Sequence, residues 1–494
     1  MRRRTFLSLA ATSLAVSQEP VVEQWGTFEL ALPGPDQGNP FLDVQLAATF
    51  RLGGIEYTID GFYDGGGTYR VRAMPDRPGE WTYVTQSNNP QLDAKRGTFR
   101  CVPASANNHG PVRVQNTFHF AYAGGSRYVP IGTTCYAWTH QGDELEAQTL
   151  NTLRTAPFNK IRMCVFPKSY TYNANEPQYY PFERDASGKH DFTRLNPRFF
   201  RHLEQRIGDL QRLGIEADLI LFHPYDRWGY AEMPAEIDER YLRYIVARLS
   251  AFRNVWWSMA NEFNFMKKKT VADFDRLSQI VRRHDPHRHL LSIHNGGSDG
   301  EIVYDHTKPW ITHVSMQHGD VTTGVQYRER YKKPVIFDEC FYEGDIPRRW
   351  GDISGEEMTR RFWLGTVNGC YVGHGETYLH PGDILWWSKG GVLHGESPKR
   401  IAFLRKILEE APAGLTPINS YYPGAAVESR YYLYFLDIHR PRQYTLELPK
   451  EGRWGIDVID PWQMTISPVT GTFEGKAALR LPGKPNMAIR VYRT

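Results

Sequence analysis

From about residue 109 to 412 the chain alternates short apolar runs with longer amphipathic stretches. The apolar runs cover 128–133, 160–166, 217–222, 255–260, 289–293, 311–316, 334–337 and 370–372. Their shortness and turn-rich flanks predict strands with both faces buried. The stretches 144–154, 198–213, 239–251, 271–284, 356–367 and 399–410 set apolar residues on one helical face and predict helices. Eight strands alternating with helices predict a (β/α)8 barrel, with a doubly wound sheet as the other arrangement. No G-x-G-x-x-G or G-x-x-x-x-G-K-[ST] follows an early strand, which argues against nucleotide binding.

The flanks follow a different rhythm. Residues 44–51, 56–62, 69–74 and 80–85 are short runs rich in Val, Ile, Tyr and Thr. Gly53-Gly54, Asp64-Gly65-Gly66-Gly67 and Pro75-Asp76-Arg77-Pro78-Gly79 separate them. That spacing predicts an N-terminal β-sandwich over 20–106. A small, polar segment around 104–108 suits a linker into a central domain over 107–412. Short β runs return at 430–438, 443–448, 454–459 and 487–491, predicting a second sandwich over 413–494. The fold class is thus multidomain, a central α/β barrel flanked by two all-β domains.

Composition narrows the partners. A net charge of +4 over 494 residues is too small to indicate nucleic acid or an anionic membrane. The five cysteines contain no C-x-x-C pair and fall mostly in or beside apolar runs, so buried free thiols are expected. Aromatic residues make up 13% of the chain, which fits large β cores or stacking platforms for sugar rings. Residues 1–19 begin Met-Arg-Arg-Arg-Thr-Phe-Leu and continue small and apolar. This is the layout of a twin-arginine export signal, with cleavage expected near Ala15-Val16-Ser17. The run is too short to span a bilayer. The expectation is an exported protein, periplasmic or secreted, without membrane insertion.

A parallel barrel builds its active site at the C-terminal ends of its strands. Polar residues collect there. Run one is followed by Thr134, Tyr136, Trp138 and His140. Arg162 lies inside run two, which ends near Lys168. Run three ends in Phe222-His223-Pro224-Tyr225-Asp226-Arg227-Trp228. Run four ends in Asn261-Glu262, run five in His294-Asn295, run six in Gln317-His318, run seven in Asp338-Glu339, and run eight near His374 and Glu376. Glu262 and Glu339 are carboxylates at the ends of runs four and seven. Glycosidic cleavage needs such a pair, one protonated and one ionised, with environments that separate their pKa values. Strand alternation aims Asp338 away from the face that Glu339 occupies. Arg162, in an apolar setting, needs a carboxylate partner, and Glu339 is the natural one.

Asn-Glu after strand four with Glu after strand seven resembles the large clan of retaining glycosidases on TIM barrels that includes the family 5 cellulases. The stretch Asp60-Gly61-Phe62-Tyr63-Asp64-Gly65 with Pro78-Gly79-Glu80-Trp81 resembles the N-terminal DUF5060 domain of a bacterial glycoside hydrolase group. The barrel resembles the apiosidase-like (DUF4038) type. The tail, with Tyr431-Tyr432-Leu433-Tyr434-Phe435 and Ile459-Asp460-Pro461-Trp462, resembles DUF5605. The resemblance implies Glu262 as acid/base, Glu339 as nucleophile and Asn261 as ligand of the sugar 2-hydroxyl. It names no substrate. The strand-eight tryptophan common in that clan is replaced by Gly373-His374-Gly375-Glu376-Thr377-Tyr378, with Trp386-Trp387 following in a loop.

The remaining site candidates are His223, His294, Asn295, His318 and Glu376 for substrate hydroxyls or support, and Trp138, Trp228, Trp386 and Trp387 for stacking. His284-Asp285-Pro286-His287-Arg288-His289 reads as turn chemistry rather than a metal site. Without H-E-x-x-H spacing, neither a metal ligand set nor any other cofactor is expected. The sequence therefore predicts a retaining, exo-acting glycoside hydrolase of a plant, algal or microbial oligo- or polysaccharide. The long segments 168–194 and 345–354 are expected to close one end of its cleft. Two other readings fit the pattern: a non-catalytic carbohydrate-binding barrel, and a metal-dependent hydrolase built on the strand-end histidines. Oligomeric state is not readable from the sequence.

Overall fold

A computed structural model describes residues 19–297, 304–380 and 384–494. The expected export signal, but for its last residue, lies outside them. The central domain is a closed eight-stranded parallel barrel. Its strands are β1 Gly132–Thr134, β2 Lys160–Cys164, β3 Glu216–Ile220, β4 Val255–Ser258, β5 Leu291–Ser292, β6 Val314–Gln317, β7 Val335–Glu339 and β8 Tyr371–His374. Adjacent strands pair in parallel from β5 back through β1 to β8, β7 and β6. A parallel bridge between His294 and Ser315 joins β5 to β6 and shuts the ring, which rules out the doubly wound alternative.

The helices on the outside are α1 Asp143–Thr155, α2 Pro197–Arg212, α3 Ala235–Leu249, α4 Val271–His284, α5 Gly324–Tyr331, α6 Gly355–Val367 and α7 Ser397–Glu410. Their ends follow local chemistry. Asn196 caps α2 with Pro197 at its first position, and Thr270 and Asp273 form a capping box on α4. The eight-residue α5 is an element the sequence pattern did not reveal. After α4, Asp285 accepts hydrogen bonds from the backbone of His287 and His289 and from Trp257 Nε1, the turn chemistry expected there.

The N-terminal end of the barrel is plugged. A three-stranded sheet of Val112–Gln115, His119–Tyr122 and Arg127–Tyr128 sets Phe120 against Trp256, His313 and Tyr371. The opposite end is left to carry the site. Inside the barrel, Lys160 Nζ lies 2.7 Å from both Asp218 Oδ2 and Asp338 Oδ1. A buried cation between two carboxylates fixes the β2, β3 and β7 side chains beneath the site.

The N-terminal domain packs a five-stranded sheet on a three-stranded one, around Phe28, Phe50, Trp81 and Phe99. A buried ion network fastens it to the barrel. Arg72 binds Glu204 of α2 through both terminal nitrogens, at 2.6 and 3.2 Å. Arg248 of α3 reaches Glu204 at 2.6 Å and Asp64 at 2.9 Å. Arg248 is fully buried and Glu204 is 8% exposed. Removing Glu204 takes a carboxylate from two buried guanidinium groups at once, leaving Arg72 with Glu29 and Arg248 with Asp64. Glu204→Ala is therefore expected to lower unfolding free energy by about 3–5 kcal/mol in a denaturant titration; a loss below about 1 kcal/mol would show the network to be dispensable. The C-terminal domain is a six-stranded sheet covered by a two-stranded one, and it joins the barrel where Phe435 stacks on Trp363 of α6. All five cysteines are buried free thiols. Among the described residues no helix is long and apolar enough to cross a membrane.

Candidate active site

At the C-terminal end of the barrel a cavity of about 220 Å³ is lined by Glu262, Glu339, Asn261, Tyr136, Tyr225 and Gln317 from the strand ends. Lys168 and Tyr170 from the 168–194 segment, Trp350 from the 345–354 segment, Tyr342 and Trp387 complete most of its wall. Both long segments thus contribute residues to its wall.

Glu339 ends β7 and is 5% exposed. The Tyr136 hydroxyl donates to its Oε1. Gln317 Nε2 donates to Oε2 at 2.9 Å. Arg162 Nη1 lies 3.5 Å from Oε1. His294 Nε2 lies 3.4 Å from the same oxygen, without the alignment of a hydrogen bond. Burial alone would raise this carboxyl. The His294 ring, the Arg162 guanidinium and the Tyr136 hydroxyl outweigh burial and hold it down at about 2.

Glu262 follows β4 in a left-handed backbone conformation, φ 47° and ψ 49°. That conformation costs a residue with a Cβ roughly 1–2 kcal/mol, so the surrounding structure must impose it. Asn264 and Gly296 brace the turn that follows it through a pair of mutual hydrogen bonds at 2.6 and 3.2 Å. Gly296 must stay bare, since a Cβ there would meet the Phe265 ring at 2.5 Å and Glu262 Cβ at 2.9 Å. Glu262 Oε2 accepts from the Tyr225 hydroxyl and from Asn261 Nδ2, the latter at 3.1 Å. Burial, then the charge of Glu339, pushes its pKa up to about 7, against the pull of Tyr225, Lys168 and Gln317. Gln317 thus acts on both carboxyl groups. The environments have driven the two pKa values apart in the sense that acid–nucleophile pairs require.

Asn261 is oriented from below, where Arg162 Nη1 donates to its Oδ1 at 2.7 Å. That leaves Nδ2 as the amide's donor end. Asp338, the neighbour of Glu339, points instead into the barrel, to Lys160 and to Ser315 Oγ at 2.5 Å. Burial, opposed and outweighed by Lys160 and Arg162, leaves it ionised well below the usual carboxylate range.

Among the remaining candidates, Trp387 lines the cavity and His294 supports Glu339 from beneath it. The others are placed elsewhere. Trp138 is fully buried and donates to Met163 Sδ at 3.3 Å. Trp386 is buried and donates to Thr133 Oγ1 at 2.9 Å. Neither indole offers a stacking face, because each fills the gap between barrel and surrounding elements. His223 is buried with Nε2 on the Phe166 carbonyl, 3.1 Å away. Asn295 is buried at 1% exposure, outside the cavity lining. His318 closes its own turn through the Asp320 backbone. Trp228 stacks on Tyr230 and donates to Glu176 at 3.0 Å, outside the cavity wall. Glu376 lies behind the wall, bound to the backbone N–H groups of His394 and Gly395.

Tyr136, Lys168, Tyr170, Tyr225 and Gln317 line the site without having been singled out as ligands from the sequence. Tyr136, Tyr225 and Gln317 each stand at or just past a strand end, which was the available signal. Lys168 Nζ lies within 3.8–5.5 Å of the ring centres of Tyr136, Tyr225, Trp387 and Tyr170, and burial lowers its pKa.

Three family models match the chain in order. Residues 21–88 match DUF5060, residues 114–412 the apiosidase-like catalytic domain, and residues 421–492 DUF5605. A crystal structure from Bacteroides vulgatus ATCC 8482, provisionally described as a glycoside hydrolase, is 42% identical. The match covers 97% of this chain and 100% of that one, with a TM-score of 0.92. A glycoside hydrolase family 5 structure from the same organism is 13% identical, covering 78% of this chain and 94% of that one at a TM-score of 0.61, a likeness of fold. No curated protein matches the sequence. With the catalytic-domain model spanning the whole barrel that carries Glu262 and Glu339, the chain belongs to the apiosidase-like family.

Proposed function

We propose that this glycoside hydrolase works with retention of anomeric configuration, by double displacement. The observation that carries the reading is the opposed pKa pair facing one cavity: Glu339 is ionised, while Glu262 keeps its proton up to about pH 7. Glu339 attacks the anomeric carbon while Glu262 gives its proton to the leaving oxygen. Glu262, now a base, takes a proton from water, which displaces Glu339 and releases the sugar. Gln317, Tyr136 and Arg162 hold the Glu339 carboxylate in line. Asn261 Nδ2 is the donor for the hydroxyl next to the reacting carbon. Retention needs carboxyl groups about 5–5.5 Å apart, and the two carboxyl groups line the same cavity.

The cavity is smaller than the roughly 300 Å³ at which drug-sized sites begin, and two long segments wall it. This favours exo action, one sugar unit at a time, on a plant, algal or microbial oligosaccharide. A glycan-library hydrolysis screen identifies which. The basic, then apolar, start of the chain supports export, checked by cell fractionation with and without Arg3 and Arg4.

The pH dependence of kcat/KM tests the roles. Glu262 must be protonated to donate, so the rate falls as pH rises through about 7. Glu339 is already ionised well below pH 4, so the acid limb lies far from neutrality. A rate that instead climbs between pH 6 and about 8 would reverse the assignment.

A further inference from the structure

Behind the cavity wall the short strands Glu343–Gly344 and Glu376–Thr377 pair in parallel, against the N-terminal end of α7. They bring together two carboxylates that the glycosidic chemistry does not use. Glu343 is 0% exposed and Glu376 is 1% exposed. Each of their oxygens takes one backbone N–H. Glu376 accepts from His394 and Gly395, and Glu343 from Glu396 and Ser397, the last two at 2.6 and 3.1 Å. Tyr378 also donates to Glu343 Oε1, at 3.2 Å. Neutral amides ease the burial of two negative charges but do not cancel them. The ion-pair contact that reaches them among the described residues is His374 Nε2, 4.0 Å from Glu376 Oε2.

His374 is itself fully buried. Its Nδ1 lies 3.1 Å from Thr133 Oγ1, a hydroxyl oxygen fixed by Trp386. Its Nε2 has no hydrogen-bond partner and faces the carboxylates. One atom each from Glu343, His374 and Glu376 lie within 4.8 Å of one another. Gly395 closes the pocket from the far side: a Cβ there would stand 2.5 Å from Glu376 Oε2 and 2.6 Å from Glu343 Oε2.

We propose that Glu343, His374 and Glu376 hold one divalent first-row cation, zinc or manganese, as a clamp on the cavity wall. Two carboxylates and one imidazole make a mixed N/O set suited to these ions. If Nδ1–H donates to Thr133 Oγ1, the Nε2 lone pair is left for the metal, the supporting contact typical of metal-bound histidines. The site joins the ends of β7 and β8 to α7. Tyr342, adjacent to Glu343, lines the cavity and bonds through its backbone N–H to the Trp350 carbonyl at 2.7 Å. The clamp therefore sets the position of the wall, and it takes no part in bond cleavage.

The test uses the full chain, stripped with chelator and then given zinc or manganese chloride. Elemental analysis after desalting should find about one ion per chain, and thermal unfolding should rise by at least about 2 °C. Glu376→Gln, which removes one carboxylate ligand while keeping the side chain's shape, and His374→Gln should both lose the ion and the shift while keeping the native circular dichroism. The proposal is overturned if the wild type retains neither metal and its melting is unmoved. It is equally overturned if Glu376→Gln binds metal as well as the wild type. Because the readouts are metal content and melting, failure here leaves the glycosidic mechanism standing.

Discussion

Replacing Glu339 with glutamine is expected to lower kcat by at least about 10⁴-fold, because the proposed double displacement leaves no other group to form the covalent glycosyl intermediate. Asp338, the nearest rival in sequence, is held by Lys160 and Ser315 inside the barrel and cannot substitute. Glutamine keeps the shape of the side chain, so circular dichroism and melting should stay native. The substitution has a second consequence. Glu339 contributes its charge to the raised pKa of Glu262, so in Glu339→Gln the Glu262 carboxyl should titrate below about 7. It should remain above its usual range, because burial is the larger cause. Carbon-13 NMR of labelled glutamate reads this directly. A variant retaining a tenth of wild-type kcat would remove Glu339 from the mechanism.

Glu262→Gln is expected to cost roughly 10²–10⁴-fold in kcat on a natural glycoside, the usual contribution of a general acid. The loss should shrink for an activated aryl glycoside, whose leaving group departs without a proton, and the decline of rate above neutral pH should vanish. Equal losses on both kinds of substrate, with the decline intact, would show that another group donates the proton.

Much of this architecture is legible in the sequence, for physical reasons. The helices are amphipathic, so periodicity locates them: 271–284 coincides with α4, and 356–367 differs from α6 by one residue. Strands buried on both faces appear as apolar runs, although the run at 289–293 yields only Leu291–Ser292 as regular strand. Helix α5 escaped notice because its GVQYRERY sequence has little apolar content to make a face.

The pairing of Glu262 with Glu339 across one cavity was legible because a barrel sends its strand ends to one place. Arg162 was legible because a charge inside an apolar run needs a partner. The cavity-lining tryptophans were not, since an indole looks the same in a sequence whether it faces a cavity or the core. Trp386 and Trp387 show this within two positions: one is locked to Thr133 in the core, and its neighbour lines the cavity. Tyr136 and Trp138 divide similarly just beyond β1. Lys168 and Tyr170 reach the site from an irregular segment, where no periodicity says which way a side chain points. Glu376 resembled further strand-end chemistry, and only the fold shows it beside Glu343, turned away from the cavity toward α7.

Retention is the central claim, and the configuration of the first product tests it most directly. Proton NMR of the anomeric signal, recorded within the first turnovers before mutarotation, should show a released sugar with the same anomeric configuration as the substrate. Initial release of the opposite anomer would contradict the account, and would require a water between Glu262 and Glu339 with carboxyl groups more than about 6.5 Å apart.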